Sequence, residues 1–191
     1  MQVGNQSYWI VIEGDNGTGK DSLAGQLATI GYDIVTYASK NRAIEKAART
    51  LCGEKRLLAF LSYNQQCGLQ AIAKPSLLIR YWISTIAAAY ADHLWDWEKA
   101  KEKIIMCLTQ FPVPYLVIKL DCDLLQRQYR VETRNPDSDD NMCEERDMRY
   151  QWALNEIEPY LPAWDNLDTT DLSPLQVYQS AQILLKRRHL I

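Results

Sequence analysis

Histidine is rare in this 191-residue chain, and none of its five cysteines forms a C-x-x-C pair. Cys52, Cys67, Cys107, Cys122 and Cys143 are scattered and odd in number, which reads as reduced, structural thiols. With His93 and His189 they make no zinc-type ligand spacing. Long apolar runs are missing too: no stretch approaches the ~18 residues of a membrane span, and the first residues lack the basic-then-apolar order of a secretory signal. A cytoplasmic protein without a membrane partner is expected. No charge sign dominates either, since 21 basic and 24 acidic residues leave a net charge of −3. That balance argues against a dedicated duplex-binding surface, so nucleic acid is not an expected partner. Repeats and low-complexity tracts are absent. With 47% hydrophobic and 24% charged residues, residues 1–191 suit one domain with a three-layer core.

Glycine is sparse as well, eight in all, yet three fall at positions 14, 17 and 19. They belong to Gly14-Asp15-Asn16-Gly17-Thr18-Gly19-Lys20, which fits the spacing G-x-x-x-x-G-K of a phosphate-binding loop. The apolar run Tyr8 to Glu13 precedes it, and a helical stripe of Leu23, Leu27 and Ile30 follows, closed by Gly31. Glycines let backbone N–H groups curl toward an anion, the helix adds its positive end, and Lys20 reaches the β/γ-phosphates. Gly14 through Ser22 is therefore the expected nucleotide-binding segment. Ser or Thr normally follows the lysine and binds Mg²⁺ through its hydroxyl; here Asp21 does, with Ser22 next. As a hard oxygen ligand Asp21 can hold Mg²⁺ itself; the alternative is a loop that binds nucleotide weakly.

Strand-like runs at 8–13, 32–38, 76–81, 114–120 and 164–169 alternate with helical patterns at 42–51, 56–73, 82–108, 122–131, 142–158 and 173–187. This order predicts an α/β fold of the P-loop NTPase type, three layers with a parallel five-stranded sheet flanked by helices. Ligands of such sheets sit at the carboxyl ends of the strands. There the third strand ends at Arg80, and the fourth leads into a segment bearing Arg127, Arg130 and Arg134. Guanidinium groups match phosphate oxygens and neutralise a phosphoryl group in transfer. Asn135 to Asn141 contains no apolar residue, so about 127–145 reads as a short lid bringing arginines to the phosphates, or as a solvated loop. Aromatic residues within 81–97 suit either a homodimer surface or burial within one chain.

Taken together, these residues resemble the thymidylate kinases among the nucleoside monophosphate kinases. Glu13 to Lys20 is similar to their E-G-x-D-G-x-G-K loop, and Leu58 to Asn64 lies where they carry L-F-x-A-D-R. Arg80-Tyr81 with Ser84 and Ala87 resembles D-R-Y-x-x-S-x-x-A, and Leu167 to Pro174 precedes the last helix in the same order. The resemblance implies that Phe60 stacks on the acceptor base, that Arg80 holds the acceptor phosphate, and that Asn64 and Arg42 lie near the acceptor. Lys40 lies beside Arg42 after the second strand. With Thr18 where some members place a loop arginine, it also implies a catalytic arginine from the lid: Arg127, Arg130 or Arg134. The chain departs from the pattern at Ile79, where the family has Asp, at Asn16, and at Ala88-Ala89, where it has a base-reading Tyr-Gln pair.

The expected activity is transfer of the ATP γ-phosphoryl, with Mg²⁺, to the phosphate of a nucleotide or related small molecule, with Lys20 and Arg80 catalytic. A P-loop hydrolase with Asp121 as metal ligand and a degenerate nucleotide-binding scaffold are the alternatives. Asp21→Ala is expected to abolish Mg²⁺-dependent turnover in an ADP-release assay; an unchanged rate would remove Asp21 from the metal site.

Overall fold

The computed structural model describes residues 8–35, 50–134 and 143–191. The expected helix at 42–51, residues 135–142 of the expected lid, and the residues Lys40 and Arg42 fall largely or wholly outside them. Five parallel strands form one sheet in the order β2-β3-β1-β4-β5: β1 Trp9–Glu13, β2 Asp33–Val35, β3 Ser76–Ile79, β4 Leu116–Asp121 and β5 Trp164–Asp168. Each parallel step needs a crossover, and the helices supply it: α1 Lys20–Ala28, α2 Gly53–Ala71, α3 Trp82–Ala91, α4 Trp97–Gln110, α5 Leu124–Arg134, α6 Glu144–Ile157 and α7 Pro174–Arg187. This is the expected three-layer α/β architecture.

Central position explains the apolar runs. All five residues of β1 are buried, because the strand pairs with β3 on one side and β4 on the other and is covered on both faces. Alternation then divides it between two cores. Trp9 and Val11 join Leu78 and Val117 beneath α2, α3, α4 and α6, whereas Ile10 and Ile12 join Leu77, Ile118 and Leu120 beneath α1 and α7. Tyr81, Trp82 and Trp95 are buried within this chain, Tyr81 packing edge-on against Trp9 with ring centroids 5.4 Å apart. The aromatic 81–97 region is therefore chiefly core.

The structure corrects the single helix expected at 82–108. It is two helices. Asp92 closes α3, His93 takes a left-handed φ of 55°, and the N–H groups of Leu94 and Trp95 both return to the Ala89 carbonyl. Asp96 then caps α4 by accepting from the Lys99 N–H at 2.8 Å. The apolar pattern runs through this break because Trp95 is buried on the same face as the helices around it. Similarly, α1 ends at Ala28, which leaves Ile30 exposed rather than packed on the sheet.

All five strands run the same way, so their carboxyl ends share one edge, where Glu13, Arg80 and Asp121 stand. The loop after β1 crosses this edge at close quarters. Gly14 has φ 132°, and a Cβ there would lie 2.4 Å from the Leu120 carbonyl oxygen. Gly14→Ala is thus expected to destabilise the protein by at least about 2 kcal/mol, from strain and overlap together. Urea unfolding checks this, and a change below about 0.5 kcal/mol would show that the loop yields freely.

Candidate active site

Strand β1 delivers the loop into a cavity of about 840 Å³ at the carboxyl edge of the sheet. One end is formed by the loop itself, with Asn16, Gly17, Gly19, Lys20 and Asp21, and by Arg130 and Arg134 of α5. The other is walled by Arg56 and Phe60 of α2, by Thr85 and Ala88 of α3, by Asp92 and Leu94 just beyond it, and by Arg146 of α6. Ile79 and Arg80 lie on the lining too. Six cationic side chains and two carboxylates face this space, although the whole chain is net negative. A cavity so charged is matched to polyanions.

Lys20 opens α1 and is only 6% exposed. Its ammonium folds back over the loop, donating to the Asp15 carbonyl at 2.5 Å and to the Thr18 hydroxyl at 3.5 Å. Burial, assisted by the nearby Arg80 charge, lowers its pKa to about 7. Glu13, at the end of β1, accepts from the Tyr81 N–H at 2.8 Å and the Ser84 hydroxyl at 3.4 Å, while its Oε2 is buried without a hydrogen-bond partner. Burial raises it to about 7, against the attraction of Arg80. The site thus places two groups of marginal charge directly below its phosphate cradle.

Arg80 leaves β3 with a left-handed φ of 66°, a conformation costing a non-glycine residue on the order of 1–2 kcal/mol. Its backbone N–H is anchored on the Ile12 carbonyl at 3.0 Å, and its guanidinium donates to Asn16 Oδ1 at 2.8 Å and to the Tyr150 hydroxyl at 3.2 Å. Strain held at the rim of a cavity is characteristic of functional sites. Asp15, expected to bind nucleotide, instead faces the protein: Arg127 lies 3.2 Å from its carboxylate, and Arg80 and Arg146 each lie 3.9 Å away. Burial pushes its pKa up, but the Asn16 N–H and these three guanidiniums outweigh it and hold the carboxyl below the usual range.

The lid arginines separate. Arg127 is 1% exposed and sits under the loop, its guanidinium shared by Asp15, Asp147 at 2.5 Å and the Cys122 carbonyl at 3.0 Å. A Cβ on Gly17 would meet its backbone at 2.7 Å. It is a buried clamp, and the structure brings only Arg130 and Arg134 to the cavity. Arg130 donates to the carbonyls of Gly17, Thr169 and Thr170 at 3.3, 2.6 and 3.1 Å, bridging the loop to the turn after β5. Arg134 is exposed on the same wall.

On the acceptor side, Phe60 lines the cavity with the Arg56 guanidinium 5.7 Å from its ring centroid. Asn64 does not reach the lining; it is buried and donates to the Thr85 hydroxyl at 2.9 Å, so it acts on the cavity through Thr85. Gly14 and Thr18 are buried in the loop's own packing, and Ser22 lies on the exposed outer side of α1. Asp121, proposed above as a metal ligand, is tied to Lys119 at 2.9 Å and does not line the cavity. Sequence reasoning did not single out Glu13, Arg56, Asp92, Arg146 or Tyr150. Arg146 lies just past the expected lid, and only the packing of α6 selects it from its charged neighbours.

A divalent ion would find few protein ligands here. Among the described residues no group of three or more His, Cys, Asp or Glu converges. Asp21, exposed at the start of α1 on the cavity wall, fits an ion held mainly by phosphate oxygens and water, which is the usual manner of Mg²⁺.

The parallel sheet and the glycine-lysine loop after its central strand define a P-loop α/β architecture. Among solved structures, a thymidylate kinase from Candida albicans superposes with a TM-score of 0.77 over 97% of this chain and 93% of its own, at 17% identity. A deoxyadenosine kinase from M. mycoides gives 0.68 over 94% and 99%, at 16% identity, and a thymidylate kinase from Ehrlichia chaffeensis 0.62 over 94% and 98%, at 18%. No protein-family model matches the sequence, and neither does any curated protein. The chain therefore has a thymidylate kinase-like fold along its length, while its sequence has diverged far from those relatives in shape. No described helix is long and apolar enough to cross a membrane.

The two marginal charges give opposite pH limbs. Folded Glu13 keeps a proton that the unfolded chain releases above 4.5, so its contribution to stability is lost as pH rises from 4.5 through about 7. Folded Lys20 sheds a proton that the unfolded chain keeps up to 10.5, so its burial penalty is relieved as pH rises from about 7 toward 10.5. Their joint contribution is expected to be least favourable near pH 7, with Glu13→Gln flattening the acid limb and Lys20→Met the alkaline one. Urea unfolding of the ligand-free protein at pH 5, 7 and 9 measures this, and limbs unchanged in the variants would refute the assignment.

Proposed function

We propose that the chain is an ATP-dependent phosphotransferase that moves the γ-phosphoryl group to the phosphate of a nucleoside monophosphate. The observation carrying this reading is one continuous cavity that runs from a G-x-x-x-x-G-K loop to an aromatic wall, with Arg80 on the lining and cations at both ends. A hydrolase needs a donor site only; here the cleft continues beyond the loop and is lined by Arg56, Phe60, Thr85 and Arg146. The loop amides and Lys20 bind the donor phosphates, Arg80 the acceptor phosphate, and Phe60 offers its ring to the acceptor base.

Phosphoryl transfer asks the protein for position and charge rather than for a covalent nucleophile. Arg130 and Arg134 supply guanidinium groups beside the loop for the charge that spreads over the transferring oxygens. Arg127 contributes by holding Asp15, and hence the loop, in place. Mg²⁺ arriving with ATP supplies further charge neutralisation, and Asp21 is the carboxylate that would hold it.

ADP release in the presence of Mg-ATP and a panel of ribo- and deoxynucleoside monophosphates, with mass spectrometry of the products, tests the reading. Acceptor-dependent release with a new diphosphate is expected. Arg80→Ala should lower kcat/KM for the acceptor by about 100-fold or more, the scale for losing one preorganised charge at a phosphoryl site. ADP formed equally without acceptor would identify a hydrolase, and ATP binding without turnover a scaffold.

A further inference from the structure

Asp92 is a carboxylate in an unfavourable place. It closes α3 at the end where backbone carbonyls already concentrate negative charge, a position that favours cations. It nevertheless lines the cavity, and its Oδ1 accepts from Arg146 Nε at 2.7 Å. The same guanidinium lies 3.9 Å from Asp15 Oδ2, and Asp15 in turn lies 3.9 Å from Arg80. Asp92 therefore stands one guanidinium away from the loop carboxylate that neighbours the phosphate-binding arginine.

That placement corresponds to one part of the acceptor. With its phosphate at Arg80 and its base against Phe60, the sugar spans the gap between, beside the α3 wall. One turn before Asp92 this wall carries only the methyl group of Ala88, so nothing bulky excludes an additional sugar hydroxyl. A carboxylate only accepts hydrogen bonds and a hydroxyl can donate one, the charged partner making the bond strong. We infer that Asp92, oriented by Arg146, binds a sugar hydroxyl of the acceptor, and that the preferred acceptors are ribonucleoside monophosphates rather than their 2′-deoxy counterparts. The inference rests on the phosphotransferase reading above and goes beyond it by naming the sugar.

Paired acceptors separate the two claims: AMP with dAMP, CMP with dCMP, GMP with dGMP and UMP with dUMP, each assayed for kcat/KM by ADP release. For the best base, the ribonucleotide is expected to show the higher kcat/KM. Asp92→Asn should lower the ribose-to-deoxyribose ratio of kcat/KM about tenfold, mainly through KM, the scale of one hydrogen bond to a charged group. Ala88→Tyr, which fills the wall while leaving the carboxylate in the chain, should shift the ratio in the same direction, and the remaining deoxynucleotide turnover reports that the protein is folded. A wild-type preference for deoxynucleotides, or a ratio unmoved in Asp92→Asn, overturns the inference while leaving the kinase reading intact. ADP release stimulated by neither sugar series overturns both.

Discussion

One buried guanidinium, that of Arg127, holds the site together. It lies between Asp15 of the loop and Asp147 of α6 while its Nε bonds the chain just after β4, so the glycine-rich loop, the end of the sheet and two helices meet on a single cation. A buried charge is tolerated only with such partners, and removing one member of a buried pair costs about 3–5 kcal/mol. The arrangement is consequently stiff. Loop backbone packs on Arg127 at Gly17, and no larger residue fits there. Two cations of the cavity wall are tied to this joint as well, because Asp15 also faces Arg80 and Arg146.

Around the joint the protein distributes charge unevenly. Glu13 and Lys20, the buried groups of the loop, titrate near pH 7, whereas the cavity wall carries permanently charged arginines. Burying Lys20 without a carboxylate in direct contact among the described residues is unfavourable in the free protein, and on the proposed function an incoming phosphate would relieve that penalty.

Much of the fold was legible in the chain because the signals were local. The apolar runs at 8–13 and 114–120 mark strands buried on both faces, and three glycines before Lys20 mark the loop. Phe60, Arg80 and Asp21 reach the cavity as their sequence positions suggest. Other assignments needed contacts that no spacing encodes. Arg127 and Arg130 are three residues apart on one helix, yet one is a buried clamp and the other faces the cavity, since α5 turns them toward different neighbours. The break between α3 and α4 also escapes the pattern, because the apolar face continues across the turn through Trp95.

The sequence by itself determined the class of architecture and the place of the glycine-lysine loop in it, because alternating apolar segments and such a loop depend only on backbone periodicity and local conformation. Only the tertiary structure decided which charges line the cavity and which serve the fold. Asp15, Asp92, Arg127 and Arg146 come from four separate segments, and whether each faces water, phosphate or another side chain is fixed by how α3, α5 and α6 pack at the sheet edge.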